Sequence, residues 1–226
     1  MRGGAVLVVG DGDVPARAAL DRSWPGWDGG VGWVIGADGG ALKGEACLGV
    51  AVDLVVGDAD SLDPAAVASF RSRGVPVRLA PVAKDESDLE LALLAALERA
   101  PSSIVVTGAL GGPRIDHELA AVALLAHPAL RETPVALVDA RARIRLLRGP
   151  GRLELPGPLG ALVSLLPLES AVSGVVTEGL RYPLRGEPLS LGPARGLSNV
   201  RTAAGASVSV EHGALLIVET AVREEP

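Results

Sequence analysis

Closely spaced carboxylates follow a short apolar run of this chain, and their type and spacing suit the binding of a divalent cation. Asp58 and Asp60 stand one residue apart, shortly after residues 53–56, and Ser61 comes next. In an extended turn, side chains two positions apart point the same way, and carboxylates are the hard oxygen ligands that Mg²⁺ prefers. An Asx-turn is the alternative interpretation, because aspartate and serine gather in turns where they bond their own backbone.

A second charged cluster lies at residues 84–88, and part of it has a structural explanation of its own. The four residues from Ser87 to Glu90 match a capping box, in which both terminal side chains satisfy backbone N–H groups at the start of a helix. Asp88 would then occupy the first helical position, where the helix dipole favours a carboxylate. Two hypotheses stay open for Asp88: it caps the helix, or it projects into a cleft as a further metal ligand.

Two cationic side chains are candidates for binding phosphate oxygens. Lys84 is one of only two lysines beside 19 arginines. This scarcity weakly indicates that the site requires the compact ammonium of lysine, as in phosphate binding. Arg114 follows a glycine-rich turn at residues 108–113 that opens a predicted helix over residues 116–126, where backbone amides and a guanidinium would suit phosphate. The simpler alternatives are a solvated lysine and ordinary turn glycines.

The pattern of apolar runs predicts the elements that position these groups. Up to about residue 140, short β-branched runs alternate with Ala- and Leu-rich segments of helical period, which indicates a parallel sheet flanked by helices. The predicted strands are residues 5–9, 31–35, 53–56, 75–79, 104–107 and 135–138. The clearest helix is predicted over residues 88–99, and another after Asp63-Pro64, an N-cap residue followed by proline. Ligands of such sheets bind beyond the carboxyl ends of the strands, where glycine and aspartate gather here.

The remainder of the chain has a different character. Glycine and proline recur every few residues, and short apolar runs stand at residues 161–166, 174–176, 207–210 and 214–218. Gly149-Pro150-Gly151 predicts a hairpin turn between residues 144–147 and 152–155. The predicted fold class is therefore α/β: an N-terminal parallel-sheet nucleotide-binding domain, residues 1–140, followed by a smaller all-β, sandwich-like domain, residues 141–226.

Composition narrows the classes of partner. Of the 226 residues, 48% are hydrophobic, enough for a core, and the net charge of −6 argues against nucleic acid as a partner. The single cysteine, Cys47, fits a reducing compartment such as the cytoplasm. The apolar stretches are shorter than the roughly 20 residues of a spanning helix, so no membrane partner is expected.

Five motifs in this order resemble those of thiamine pyrophosphokinases, which transfer a diphosphate from ATP to the hydroxyl of thiamine and release AMP. The motifs are residues 37–41, 57–61, 84–93, the segment from Gly111 to His117, and Ser198-Asn199. The resemblance spans most of the chain. It implies an α/β nucleotide domain followed by a β-sandwich, with thiamine bound at a homodimer interface.

The resemblance also implies roles for individual residues. The implied Mg²⁺ carboxylates are Asp58, Asp60 and Asp88; the implied nucleotide and phosphate contacts are Asp38, Lys84, Arg114 and Asp116; the implied thiamine-proximal pair is Ser198 with Asn199. Two positions depart from the family pattern: Pro113 lengthens the Gly-Gly-Arg segment by one residue, and Leu197 stands where threonine is common.

The implied reaction is attack of a primary alcohol on the β-phosphorus of ATP. Mg²⁺ with Arg114 and Lys84 would stabilise the charge that develops on phosphoryl oxygens, and Asp116 and Asp85 are both candidates for the group that orients the hydroxyl. Three rival hypotheses stay open. They are a pyrophosphokinase of the same architecture acting on another alcohol such as a hydroxymethylpterin, a metal-dependent glycosyltransferase, and a nucleotide-binding sensor without turnover.

Overall fold

The structure, a computed structural model, describes residues 3–58, 62–81 and 83–222. Its contacts divide into two compact units, Met1–Ala140 and Arg141–Pro226. Within the described residues, the helices all fall short of the length and apolar character needed to cross a bilayer.

The first unit is built on a parallel sheet, which confirms the predicted α/β class. Its described strands are β1 Ala5–Val9, β2 Val31–Ala37, β3 Leu54–Gly57, β4 Val77–Leu79, β5 Ile104–Thr107 and β6 Val135–Val138. They lie in the order β6-β5-β1-β2-β3-β4, and each neighbouring pair is parallel. Strands β2, β3 and β4 follow one another on one side of β1, and β5 and β6 lie on its other side. The switch point therefore lies between β1 and β5, where ligands of such sheets bind.

Helices connect these strands, and two of them begin at the residues that the sequence marks. The helices are α1 Arg17–Ser23, α2 Gly40–Lys43 continuing as the π-helical turn Gly44–Leu48, α3 Pro64–Ser72, α4 Asp88–Leu97 and α5 Ile115–Leu124, with a 3₁₀ turn at Pro128–Leu130. The Asp63 side chain accepts a hydrogen bond from Ala65 N at 2.8 Å and so caps α3. Ser87 Oγ accepts from Glu90 N at 3.2 Å and caps α4. These caps satisfy backbone donors that helix ends otherwise leave unpaired.

The second unit consists of antiparallel strands in two sheets. They are β7 Ala142–Arg148, β8 Gly151–Glu154, β9 Leu162–Pro167, β10 Ala171–Glu178, β11 Arg185–Ser190, β12 Asn199–Val200, β13 Ser207–Val210 and β14 Ala214–Thr220. One sheet contains β12-β9-β14-β7 and the other β11-β10-β13-β8. Alternate residues such as Val163, Val172 and Ile217 are fully buried in one apolar cluster. Two sheets that share a core in this way form the predicted sandwich.

The predicted hairpin at Gly149-Pro150-Gly151 is wrong. The strand before the turn, β7, pairs with β14, whereas the strand after it, β8, pairs with β13 in the other sheet. Leu147 and Leu155 both reach the apolar cluster that the two sheets share. Glycine and proline indicate that the chain turns, but burial of the flanking apolar residues decides with which strand each flanking segment pairs.

A charged cluster lies among the buried residues of the second unit. The Glu219 carboxylate on β14 accepts hydrogen bonds from Arg143 Nε and Nη2 at 2.9 Å each, from Arg145 Nη2 at 2.6 Å and from Arg201 Nη2 at 2.9 Å. The side chains of Glu219 and Arg201 are each 1% exposed. A Cβ atom at Gly157 would overlap the Arg201 guanidinium. Burial alone would raise the pKa of Glu219, but the hydrogen bond from Arg143 and the charges of the arginines outweigh it and hold the pKa below its ordinary value.

Candidate functional site

Glycine residues bring two loops into contact at the switch point of the parallel sheet. Gly10 N donates to Thr107 O and Gly12 N donates to Gly108 O, both at 2.8 Å. A Cβ atom on Gly10 would lie 2.6 Å from Gly108 O, and Gly108 itself has a φ of 70°. Both positions therefore require glycine, one for space and the other for its left-handed backbone. The close approach fixes the loops after β1 and β5 against each other.

Three carboxylates meet at the carboxyl ends of the neighbouring strands β2 and β3. Asp38 follows β2, Asp58 follows the neighbouring strand β3, and Asp88 is the first residue of α4. Each offers one oxygen atom, and these atoms all lie within 4.8 Å of one another. The structure thus brings together Asp58 and Asp88, the two predicted metal ligands that it describes. Asp60, the third predicted ligand, lies outside the described residues.

Asp38 belongs to this group, although the family resemblance implied only a nucleotide contact for it. Its side chain is 2% exposed, and its backbone is left-handed, with a φ of 47°. Asp38 N donates to Val56 O at 2.8 Å, which ties the residue to β3. A Cβ atom on Gly57 would lie 3.0 Å from the Asp38 Cβ, so the carboxylate packs closely over the end of β3. The signal was available: Asp38 and Asp58 both follow adjacent parallel strands, whose carboxyl ends meet at one edge.

Lys84 holds two of the three carboxylates. Its Nζ lies 2.6 Å from Asp58 Oδ2 and 3.0 Å from Asp88 Oδ1, and its side chain is 10% exposed. Burial alone would lower the pKa of Lys84, but the hydrogen bond to Asp58 and the ion pair with Asp88 outweigh that effect, so the pKa lies above its ordinary value. Lys84 is therefore a protonated ammonium inside the cluster, and the hypothesis of a solvated surface lysine is wrong.

The donor set of this cluster fits a magnesium ion. Carboxylate oxygens from Asp38, Asp58 and Asp88 converge from three elements, and hard oxygen ligands at about 2.0–2.1 Å are what Mg²⁺ requires. The Lys84 ammonium contacts two of these three carboxylates. Such an arrangement can hold a divalent cation against the phosphates of a nucleotide.

Arg114 and Asp116 lie at the start of α5, and neither belongs to the group of Asp38, Asp58 and Asp88. Arg114 is the N-cap residue, and its Nε donates to Asp116 Oδ1 at 2.9 Å. Both side chains are more than half exposed. The hydrogen bond from Arg114 is the main cause that holds the pKa of Asp116 far below its ordinary value, and the same contact raises the pKa of Arg114. The pair is thus a fixed charge pair in solvent, with both members ionised near neutral pH.

The second lysine of the chain also lies at this edge of the sheet, a position that was not predicted from the sequence. Lys43, the last residue of α2, places its Nζ 2.9 Å from Asp11 Oδ1 and 3.1 Å from Gly12 O, and it also donates to Asp11 O. It thereby fastens the loop after β1. The scarcity of lysine that drew attention to Lys84 applied equally to Lys43.

Ser198 and Asn199 lie at the start of the short strand β12 in the second unit. The Asn199 side chain is buried; its Oδ1 accepts from Tyr182 N at 2.9 Å and its Nδ2 donates to Tyr182 O at 2.8 Å. Ser198 has a left-handed φ of 57°, and its N donates to Ser164 Oγ at 3.1 Å. Asn199 therefore secures the segment that carries Tyr182, which is about half exposed.

Comparisons with known proteins agree with this division of the chain. Residues 30–137 match the family model "Thiamin pyrophosphokinase, catalytic domain", and residues 152–215 match "Thiamin pyrophosphokinase, vitamin B1 binding domain". The two matches together cover well over half of the chain.

Relatives with that name match by sequence and by structure. A thiamine pyrophosphokinase of Bacillus subtilis is 28% identical over 138 residues, which are 61% of this chain and 64% of that protein's length. A crystal structure of thiamine pyrophosphokinase from Bacillus subtilis has a TM-score of 0.83 at 24% identity, covering 97% of this chain and 100% of that one. A thiamin pyrophosphokinase family protein from Enterococcus faecalis has a TM-score of 0.77 at 25% identity, with coverage of 97% and 100%.

Proposed function

Because this chain belongs to the thiamin pyrophosphokinase family, we propose that it transfers a diphosphate group from ATP to the hydroxyl of thiamine, giving thiamine diphosphate and AMP. The observation that carries the proposal is the cluster of Asp38, Asp58 and Asp88 around Lys84. It lies at the carboxyl ends of the strands, within the part of the chain that matches the catalytic domain. The resemblance drawn from the five motifs thus holds at the level of the family.

Mg²⁺ is the metal that we propose for the carboxylate cluster. Asp58 and Asp88 would hold it, with Asp38 as a further ligand from the end of β2, and we retain Asp60 in the proposal from its motif. When bound with ATP, the ion neutralises charge on phosphoryl oxygens. The chain's own contribution is preorganisation: Asp38 is buried and tied to β3, so its carboxylate needs little rearrangement when the nucleotide arrives.

Arg114, Asp116 and Lys84 are the residues that we propose for contact with the phosphates and the attacking hydroxyl. Arg114 is exposed and permanently charged, so it can exchange Asp116 for phosphate oxygens. Asp116 stays ionised at neutral pH even when Arg114 leaves it, because an exposed aspartate has an ordinary pKa of about 3.9. It would accept a hydrogen bond from the hydroxyl and orient it, and it is too weak a base to remove the proton fully. Asp85, which is exposed, is the alternative for that role.

We assign ATP and Mg²⁺ to residues 1–140 and thiamine to residues 141–226. Ser198 and Asn199 serve the thiamine site in this proposal, and the contacts of Asn199 favour an indirect role in which it positions Tyr182. A cytoplasmic homodimer without nucleic-acid or membrane partners completes the proposal. Exposed apolar side chains support a dimer: Ile115 and Leu119 lie one turn apart on α5, and such side chains commonly mark interfaces.

The test is the dependence of AMP formation on the alcohol supplied. Purified full-length protein is incubated with ATP and Mg²⁺ and with either thiamine or a hydroxymethylpterin, and AMP is quantified by chromatography. We expect AMP with thiamine alone. AMP formed only with the pterin would assign another alcohol, and binding of both ATP and thiamine without AMP would assign a sensor.

A further inference from the structure

Lys84 places its ammonium inside the carboxylate cluster. Its ammonium contacts Asp58 Oδ2 and Asp88 Oδ1, the first from the end of β3 and the second from the start of α4. The side chains of Lys84 and Asp58 are each about nine-tenths buried. An ammonium held by two carboxylates of this cluster is therefore already its counter-ion.

A divalent cation bound by the same oxygens would be repelled by this ammonium. Mg²⁺ lies about 2.0–2.1 Å from its oxygen ligands, while Lys84 Nζ lies 2.6 and 3.0 Å from the same side chains. Two cations so close together repel each other strongly where water is scarce. Lys84 must leave at least one carboxylate, and its flexible four-carbon stem allows the ammonium to move to a new anion.

We infer that Lys84 is the counter-ion of the cluster and excludes free divalent cations from it. When a cation binds together with a triphosphate, the Lys84 ammonium leaves the carboxylates and is accepted by the triphosphate oxygens. This inference rests on the metal site proposed above. It assigns Lys84 a role in the order of binding: nucleotide brings the metal, and the metal alone binds weakly. Reciprocity then requires the metal to improve nucleotide binding by the same factor.

A purely structural role for Lys84 makes a different prediction. If the lysine only fastens the 84–88 turn to the end of β3, its removal lowers the stability of the fold and leaves metal affinity unchanged or weaker. If Lys84 competes with the metal, its removal strengthens metal binding in the absence of nucleotide. Metal affinity without nucleotide therefore separates the two roles.

The experiment titrates full-length protein with Mn²⁺ and measures the free ion by electron paramagnetic resonance, with and without α,β-methylene ATP. Lys84→Met keeps the length of the side chain and removes its charge. Lys43→Met is the matched control, because it removes the other lysine at this edge of the sheet, whose ammonium contacts Asp11 and Gly12. Lys84→Gln provides the same comparison if the methionine variant does not fold.

We expect Lys84→Met to bind Mn²⁺ without nucleotide about tenfold more tightly than the wild type or better, a common size for coupling between ligands. The enhancement by nucleotide should shrink accordingly, and Lys43→Met should resemble the wild type. Unchanged or weaker binding by Lys84→Met, or equal tightening by both variants, overturns the inference and leaves the metal site standing. Absence of Mn²⁺ binding in every protein, even with nucleotide, overturns the metal site and the inference together.

Discussion

Replacing Glu219 by glutamine should strongly destabilise the second unit. The carboxylate accepts four hydrogen bonds from three guanidinium groups. Glutamine keeps the shape but turns an NH₂ group toward arginine donors, so about two of these bonds are lost, and bonds to charged groups contribute about 1.5–3 kcal/mol each. Breaking a buried ion pair costs a similar amount, about 3–5 kcal/mol. We therefore expect the free energy of unfolding to fall by about 3–5 kcal/mol.

Urea unfolding followed by circular dichroism measures this loss. Glu154→Gln is the control in the same unit, because Glu154 pairs with Arg152 at 3.0 Å while both side chains are at least half exposed. Such exposed pairs contribute at most about 1 kcal/mol. A loss below about 1 kcal/mol for Glu219→Gln would refute the claim that this carboxylate is the main compensation for the buried arginines.

The pH dependence gives a second check on the same residue. The pKa of Glu219 is lower in the folded state than its ordinary value, so its contribution is fully present above the unfolded pKa of about 4.3. That contribution is lost as the pH falls through the folded pKa. The difference in stability between wild type and Glu219→Gln should therefore be larger at pH 7 than at pH 3. A difference that stays constant between these pH values would contradict the assignment.

Three further predictions concern the candidate site. Asp58→Asn should lower kcat for AMP formation by about 100-fold or more, because the metal loses a charged ligand. It should also lower the urea midpoint, because Asp58 is paired with the largely buried Lys84; a folded variant with wild-type kcat would exclude Asp58 as a ligand. Gly108→Ala should cost about 1–3 kcal/mol of stability because the backbone at this position is left-handed, and it should raise the KM for ATP. A melting curve identical to that of the wild type would contradict the close packing of the loops after β1 and β5. Asn199→Ala should lose about 1–3 kcal/mol as the Tyr182 backbone loses its partners, and thiamine KM should rise while ATP KM stays constant; equal changes in both would argue for general unfolding.

Local pattern was sufficient to predict most of the parallel sheet. Strands β1, β5 and β6 begin and end where the β-branched runs do. Strand β2 extends beyond its predicted end because Gly36 and Ala37 continue the pairing with β3. Strand β4 starts later than predicted, after Pro76, which has no N–H to donate to a sheet.

The candidate site was predictable as far as it depends on strand ends. Asp58 and Asp88 belong to motifs that the sequence displays, and parallel topology places such motifs at one edge. The proximity of Asp38 to Asp58 was also predictable from the ends of adjacent strands, but its left-handed backbone was not, because sequence does not reveal a positive φ for a residue other than glycine. The contacts of Lys43 depend on the path of a distant loop.

The buried charges of the second unit could not be predicted because their partners are far apart in sequence. Arg143 and Arg145 alternate with apolar residues in β7, a pattern typical of a solvated face. Instead they face Glu219, and Arg201 joins from beyond β12. Only the pairing of β7 with β14 in the folded protein shows that these polar positions lie on the inner side of the sandwich.

The position of Arg201 has a consequence for engineering this protein. Arg201 follows Asn199 by two residues, and its guanidinium is locked between Glu219 and the glycine at position 157. The segment bearing Ser198 and Asn199 is therefore anchored to the buried charged cluster of its unit. Substitutions around Arg201 that loosen this segment would therefore also lower the heat tolerance of the protein, and a laboratory selection that alters the segment should monitor both properties.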